Sequence, residues 1–151
     1  MTRRSALFGL GASAALAGFS PALAMAAHLE PGGATKHDSH WEECLAVCQA
    51  CFTACNSALK HCIDQLAAGH VAYAECASLC ADCVEFCVTC ESMMARRSKL
   101  TIHAASACAA ACASCAQACE KLGTDAVMVA LGKTCRQCEA SCLAMVKHLA
   151  Q

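Results

Sequence analysis

The sequence predicts an all-α fold, an antiparallel up-down-up-down four-helix bundle with a cysteine-lined core. Three observations lead there. The 17 cysteines fall into four rows stepped by three, four and seven residues. No stretch alternates as a strand would, and short polar turns between the rows leave consecutive helices to pack as antiparallel neighbours. The rows are Cys44, Cys48, Cys51, Cys55 and Cys62; Cys76, Cys80, Cys83, Cys87 and Cys90; Cys108, Cys112, Cys115 and Cys119; and Cys135, Cys138 and Cys142. At helical spacing each row lies on one face. A single heptad register absorbs all of them. Cys44, Cys51, Cys76, Cys83, Cys90, Cys108, Cys115 and Cys138 take one seam position, and Cys48, Cys55, Cys62, Cys80, Cys87, Cys112, Cys119, Cys135 and Cys142 take the other.

Each helix has its own punctuation. The first begins at Ser39, where Glu42 completes a capping box, and runs to about Ala68 before Gly69 stops it. The second extends from about Val71 to Arg96, and Arg97, Ser98 and Lys99 form a polar turn. The third spans Ala104 to Lys121 and ends at Gly123. Thr124 and Asp125 are N-cap candidates for a fourth that reaches about His148.

Ahead of the bundle, residues 1–26 read as a cleaved export signal. Arg3 and Arg4 precede an apolar, Gly/Ala-rich run, and Ala24-Met25-Ala26 offers a small-residue cleavage site. The paired arginines resemble a twin-arginine signal, which implies a periplasmic destination and transport in the folded state. A Sec-type signal is the alternative. The run is short and Gly-rich, so no membrane span is expected after processing. Residues 27–38, with Pro31, Gly32 and Gly33, read as a flexible arm, leaving 39–151 as the bundle domain.

Composition narrows the function. The chain is 58% hydrophobic yet only 4% aromatic, so alanine and cysteine fill the interior where large side chains would otherwise stand. The net charge is −1, and loss of Arg3 and Arg4 with the signal leaves 9 basic side chains against 12 acidic. Nothing in that balance attracts a phosphate backbone, so nucleic acid is not an expected partner. No enzyme is expected either. No nucleophile and base stand apart from the thiol rows, and Gly9-Leu10-Gly11 and Gly32-Gly33 fall in the signal and the arm.

The cysteines admit several readings. They can be small buried hydrophobes, but 17 of them along two seams exceed that use. They can pair as disulfides across helices, in a stapled or thiol-redox protein; neighbours three or four apart on one helix cannot pair without strain. The Cys-x-x-Cys steps lie within helices and lack the βαβ context of thioredoxin-like chemistry. Metal binding remains, and charge selects the metal. If all 17 thiols ionise, the core carries −17, and four tetrahedral Zn²⁺ ions return only +8. Monovalent copper bridged by thiolates approaches one ion per sulfur, and soft thiolates select Cu(I). A Zn²⁺ buffer of metallothionein type is the competing metal reading, and iron–sulfur clusters would need far fewer ligands.

The repeated Cys-x-x-x-Cys-x-x-Cys-x-x-x-Cys rows, from about Ser39 to His148 and behind a twin-arginine-like signal, resemble the exported branch of the bacterial copper storage proteins. The resemblance implies a four-helix bundle that binds many Cu(I) ions inside, assembles as a homo-oligomer, and supplies copper-requiring enzymes or chaperones or sequesters the metal. Two departures stand out: Ala58 interrupts the first row before Cys62, and the fourth row has three cysteines.

In an up-down bundle, His40, Cys44, Met93, Met94, His103, Met145 and His148 fall at one end. Met94, His103, Met145 and His148 are candidate entrance ligands, because thioether and imidazole hold Cu(I) less firmly than bridging thiolates. The alternative is that the methionines plug the core and the histidines are solvated. His61 and His70 fall at the opposite end and are expected on the surface. Met128 precedes Cys135 by one heptad, and Trp41, Phe52, Tyr73 and Phe86 are expected around the thiol core or between subunits.

Overall fold

The computed structural model describes residues 36–151, with side chains from Ser39 onward. The signal-like segment 1–26 and most of the expected arm lie outside the described residues. Four helices follow in order: α1 (Lys36–Ala67), a short 3-10 turn (Val71–Tyr73), α2 (Ala74–Ala95), α3 (Thr101–Lys121) and α4 (Ala126–Leu149), with no strand among the described residues. α1 packs on α2 and α4, and α3 packs on the same two, while neither diagonal pair brings its backbones within 8 Å at Cα. The result is a square bundle in chain order, the up-down-up-down arrangement expected.

Two of the helices end in the same backbone motif. Gly69 sits at φ +90°, and Gly69 N–H donates to Leu66 O at 2.9 Å while His70 N–H donates to Gln65 O at 2.9 Å. That is a Schellman stop, with glycine at the left-handed position. α2 ends the same way with a less suitable residue. Arg97 has φ +49°, and Arg97 and Ser98 N–H donate to Met94 O and Met93 O at 2.9 and 3.0 Å. A non-glycine residue there costs about 1–2 kcal/mol. The Arg97 guanidinium lies 5.3 Å from the centre of the Trp41 ring, a cation–π contact that offsets part of the cost and joins this turn to α1.

Three starts differ from expectation. α1 already includes Lys36, so Ser39 lies inside the helix and does not mark its start; Lys36, His37 and Asp38 include neither glycine nor proline to prevent extension. Val71–Tyr73 forms a 3-10 turn ahead of α2. α3 starts at Thr101, ahead of Ala104, because the Ser98 hydroxyl accepts from Leu100 N–H at 3.2 Å and the buried Thr101 hydroxyl donates to Met93 O at 3.2 Å. The fourth start agrees. Asp125 Oδ1 accepts from Val127 N–H at 2.8 Å and Met128 N–H at 3.2 Å, a full N-cap for α4.

The interior is nearly free of large aliphatic residues. All 17 cysteines are buried, together with Ala58, five alanines of α3, Met94, Met128, Leu131 and Met145. Trp41, Leu45, Phe52, Leu59, Tyr73, Leu79 and Val84 pack against this core from its rim, partly buried, while Phe86 is exposed. By length and composition α3 could pass for a membrane span, but half of it is buried between α2 and α4. Outside the core, Lys121 pairs with Glu75 at 2.7 Å and Arg136 with Glu120 and Glu139 at 2.9 Å, exposed contacts that add only tenths of a kcal/mol each.

Asp125 does more than cap. Its Oδ2 accepts from His61 Nε2 and from the Tyr73 hydroxyl, each at 2.8 Å, so one carboxylate ties α4 to α1 and to the turn before α2. Burial works against its ionisation, but the bonds from His61, Tyr73 and the α4 amides prevail and hold the carboxyl at about 2. A carboxylate with a depressed folded-state pKa stabilises the fold fully above its unfolded value of about 3.9, and the contribution is lost as pH falls towards the folded value. Urea unfolding of the Asp125→Ala variant at neutral pH is expected to show a loss of about 1–2 kcal/mol, and the difference from wild type should shrink as pH is lowered from 4 towards about 2.

Candidate metal centre

Each helix turns its cysteine row inward because the heptad keeps positions a and d on the seam. The backbones of α1 and α3 stand apart, yet their sulfurs meet at the axis. Cys51 Sγ lies 3.8 Å from Cys112, 3.9 Å from Cys55 and Cys83, and 4.0 Å from Cys135, so sulfur from all four helices surrounds this residue. Other cross-helix pairs follow along the axis: Cys76–Cys119 at 3.4 Å, Cys83–Cys112 at 3.5 Å, Cys48–Cys142 at 3.7 Å, and Cys80–Cys115 and Cys87–Cys108 at 3.8 Å. A disulfide needs about 2.05 Å, and all 17 are free thiols.

The spacing suits ligands that share an ion. Sulfurs about 2.3 Å from a metal stand roughly 3.8 Å apart in a tetrahedron and about 4.6 Å apart across a linear site. Four groups of four cysteines have all their sulfurs within 4.8 Å of one another, and the groups overlap. Cys51, Cys55, Cys83 and Cys135 form the first, and Cys51 and Cys83 recur in the second with Cys87 and Cys112. Cys87 and Cys112 pass to the third with Cys108 and Cys138, and those two pass to the fourth with Cys48 and Cys142. Adjacent groups thus share two sulfurs, which makes a continuous ribbon in which Cys51, Cys83, Cys87, Cys112, Cys108 and Cys138 are placed to bridge. A separate group of Cys62, Cys76 and Cys80 lies outside it.

The pull on these thiol protons alternates in direction along the helices. On α1, hydrogen bonds from Cys142 and Cys48 hold Cys44 at about 3, whereas Cys48, facing Cys108, is pushed up. Cys51 is pushed down by Cys112, and Cys55 is pushed up against Cys115. α2 and α3 repeat the pattern: Cys76 falls to about 4 beside Cys119, Cys83 and Cys108 fall beside Cys112, and Cys80, Cys87 and Cys112 rise. Cys138 is drawn up by Cys108 and down by Cys112, Cys142 and Cys48, and comes to about 7. Cys62, at the end of its row, is driven up to about 12 chiefly by burial. A sulfur that gives up its proton is thus solvated by neighbours that keep theirs. No basic side chain helps: among the described residues, the polar or charged group buried in the core is Thr101 alone.

Residues 37–147 match the family model described as copper storage protein. The chain belongs to the copper storage protein family. No curated protein and no solved structure matches it. Copper is therefore the cargo, and the family is one of storage proteins and not of enzymes.

The ends of this copper storage protein differ. At the expected mouth, Met94 and Met145 are buried, Met93 is partly buried, and His103 is exposed. The ring of His148 lies 5.0 Å from that of His40, centre to centre. Nearby on α2, Glu91 has one carboxylate oxygen buried without a hydrogen-bond partner, and burial, with Cys108 beside it, raises its pKa. Sequence reasoning gave Glu91 no role. At the other end His61, expected on the surface, is partly buried against Asp125; His70 is exposed and bonds Gln65 at 2.6 Å. Met128 is fully buried, its Sδ 3.5 Å from Cys76 Sγ and 3.8 Å from Cys62 Sγ. Its heptad step to Cys135 was the signal for that placement. Ala58, the break in the first row, is buried on the same face as Cys55 and Cys62.

Overlap ranks the cysteines. Cys51 belongs to two groups and Cys90 to none. Cys51→Ala should lower the copper load per chain more than Cys90→Ala, with helicity by circular dichroism unchanged in both. Equal losses on anaerobic copper titration would show that sulfur overlap does not set capacity.

Proposed function

We propose that the chain stores copper as Cu(I), with all 17 cysteines as ligands and many ions per chain. The observation that carries this reading is the ribbon of shared sulfurs in a core without counter-charge. Each arriving Cu⁺ takes the place of a thiol proton, which leaves with the solvent, so sulfur and metal together remain near neutral. Zn²⁺ fits less well. A four-coordinate divalent ion uses sulfurs too quickly to neutralise 17 thiolates, and soft, low-coordinate Cu(I) does not. Met94, Met145, His103 and His148 act as entrance ligands at the His40–His148 end. The burial of both methionines supports a thioether neck behind the histidines.

The same reading extends to the cell. Residues 1–26 are a cleaved export signal of twin-arginine type, the bundle domain follows a connecting arm, and the folded protein works in the periplasm. There it supplies copper-requiring enzymes or chaperones or keeps the metal from other thiols. Exposed Phe86, Val88, Val127, Val129 and Leu143 support a homo-oligomer.

Anaerobic titration of the reduced chain with Cu(I) is expected to saturate at on the order of ten ions or more, with reactive thiols disappearing in step. Saturation at one or two ions, or few free thiols in protein purified without reductant, would overturn the reading in favour of a disulfide-paired or redox role. Zn²⁺ displacing Cu(I) would favour a zinc buffer. Fractionation of cells expressing the full chain is expected to place the processed form in the periplasm, and replacing Arg3 and Arg4 by lysine should leave it in the cytoplasm.

A further inference from the structure

We propose that Met128 is itself a copper ligand, closing a mixed thioether–thiolate site with Cys62 and Cys76 at the end of the bundle away from His40 and His148. The proposal rests on the Cu(I)-storage reading above and adds to it a residue outside the cysteine rows. At this end each helix brings one sulfur. Cys62 comes from the last turns of α1, Cys76 from the first turn of α2, Cys119 from the end of α3 and Met128 from the first turn of α4. Met128 stands one heptad before Cys135, so the sulfur row of α4 continues with a thioether where the other three helices present thiols. Its Sδ is 3.5 Å from Cys76 Sγ and 3.8 Å from Cys62 Sγ, the separations of Cys83–Cys112 and Cys87–Cys108 in the ribbon. The three-cysteine group of Cys62, Cys76 and Cys80 shares no sulfur with that ribbon and lacks the fourth donor that each ribbon group has. Met128 supplies it.

The side chain is also held in place. Asp125 accepts from the Met128 amide at 3.2 Å, and the same carboxylate is fixed by His61, next to Cys62, and by Tyr73, three residues before Cys76. The elements that carry the two thiols therefore set the start of α4 through one carboxylate. A filler in this position would need only volume, as Leu131 provides one turn later.

The chemistry defines a terminal site. Two thiolates and one Cu⁺ carry −1, and a neutral thioether completes three-coordination without adding charge or releasing a proton. A thioether binds Cu(I) less firmly than a bridging thiolate, so this position fills after the ribbon and empties before it.

The test uses the full chain with ¹³C-methyl-labelled methionine, loaded anaerobically with Cu(I) in the presence of a competing chelator. The Met128 methyl resonance, identified by its disappearance in Met128→Leu, is expected to shift in the last part of the titration. Met128→Leu conserves volume and is expected to saturate about one ion per chain below wild type, while Met128→Cys regains that ion. If the leucine variant does not fold, Met128→Ile identifies the resonance, and the wild-type shift alone decides. A Met128 methyl that stays in place through saturation, or a leucine variant with the wild-type stoichiometry and competition curve, overturns the proposal and leaves the storage reading intact. A wild-type chain that takes up only one or two ions overturns both.

Discussion

Sulfur without a counter-ion is the constraint on which the rest of this structure depends. Seventeen thiols line the axis, and among the described residues no lysine or arginine is buried with them. Ionising all of them in a dry interior would cost far more than a small domain's stability, which is about 5–15 kcal/mol. The metal-free chain meets the constraint by retaining protons. Thiols pulled towards ionisation (Cys44, Cys51, Cys76, Cys83 and Cys108) are bordered by thiols held protonated (Cys48, Cys55, Cys80, Cys87 and Cys112) that donate hydrogen bonds to them. The two sets are those the heptad register separates, so the geometry that places sulfurs on the seam also makes each thiolate a neighbour of thiols. Further ionisation requires a cation.

The same choice of residues limits what the core contributes to folding. Cysteine and alanine bury little apolar area each, and among the described residues Leu131 is the one leucine, isoleucine or valine that is buried. Order therefore comes from the periphery. Rim side chains such as Trp41, Phe52 and Leu59 cover the flanks, two Schellman stops and the Asp125 cap fix helix ends, and Asp125 gathers three elements at one point. The division is functional. Interior side chains are free to be ligands because they are not required to be the main source of stability.

Much of this was legible in the sequence because a heptad is a geometric statement. Rows at three and four residues can place sulfur on one seam only in a helix, and short turns leave few ways to assemble four helices. Gly69 and Asp125 announced their ends through well-defined backbone chemistry. Less legible were features decided by partners far away in the chain. Ser39 with Glu42 has the form of a capping box, but nothing before it stops a helix, and α1 runs through. The start of α3 depends on a Thr101 hydroxyl finding a carbonyl of α2. His61 has no periodic partner that would reveal Asp125, 64 residues on. The site was likewise half legible: spacing gave the ligand set, while the sharing of sulfurs between groups depends on how four separate rows interleave.

That sharing turns the core into a one-dimensional lattice. Each four-sulfur group in the ribbon gives half of its members to the next, so an ion settling in one fixes the rotamers of two sulfurs that its neighbour also needs. Occupancies are then correlated between adjacent positions, as in a linear chain with nearest-neighbour energies. A partly filled population consists of contiguous runs and empty stretches, and its boundaries, not its individual sites, are where ions come and go.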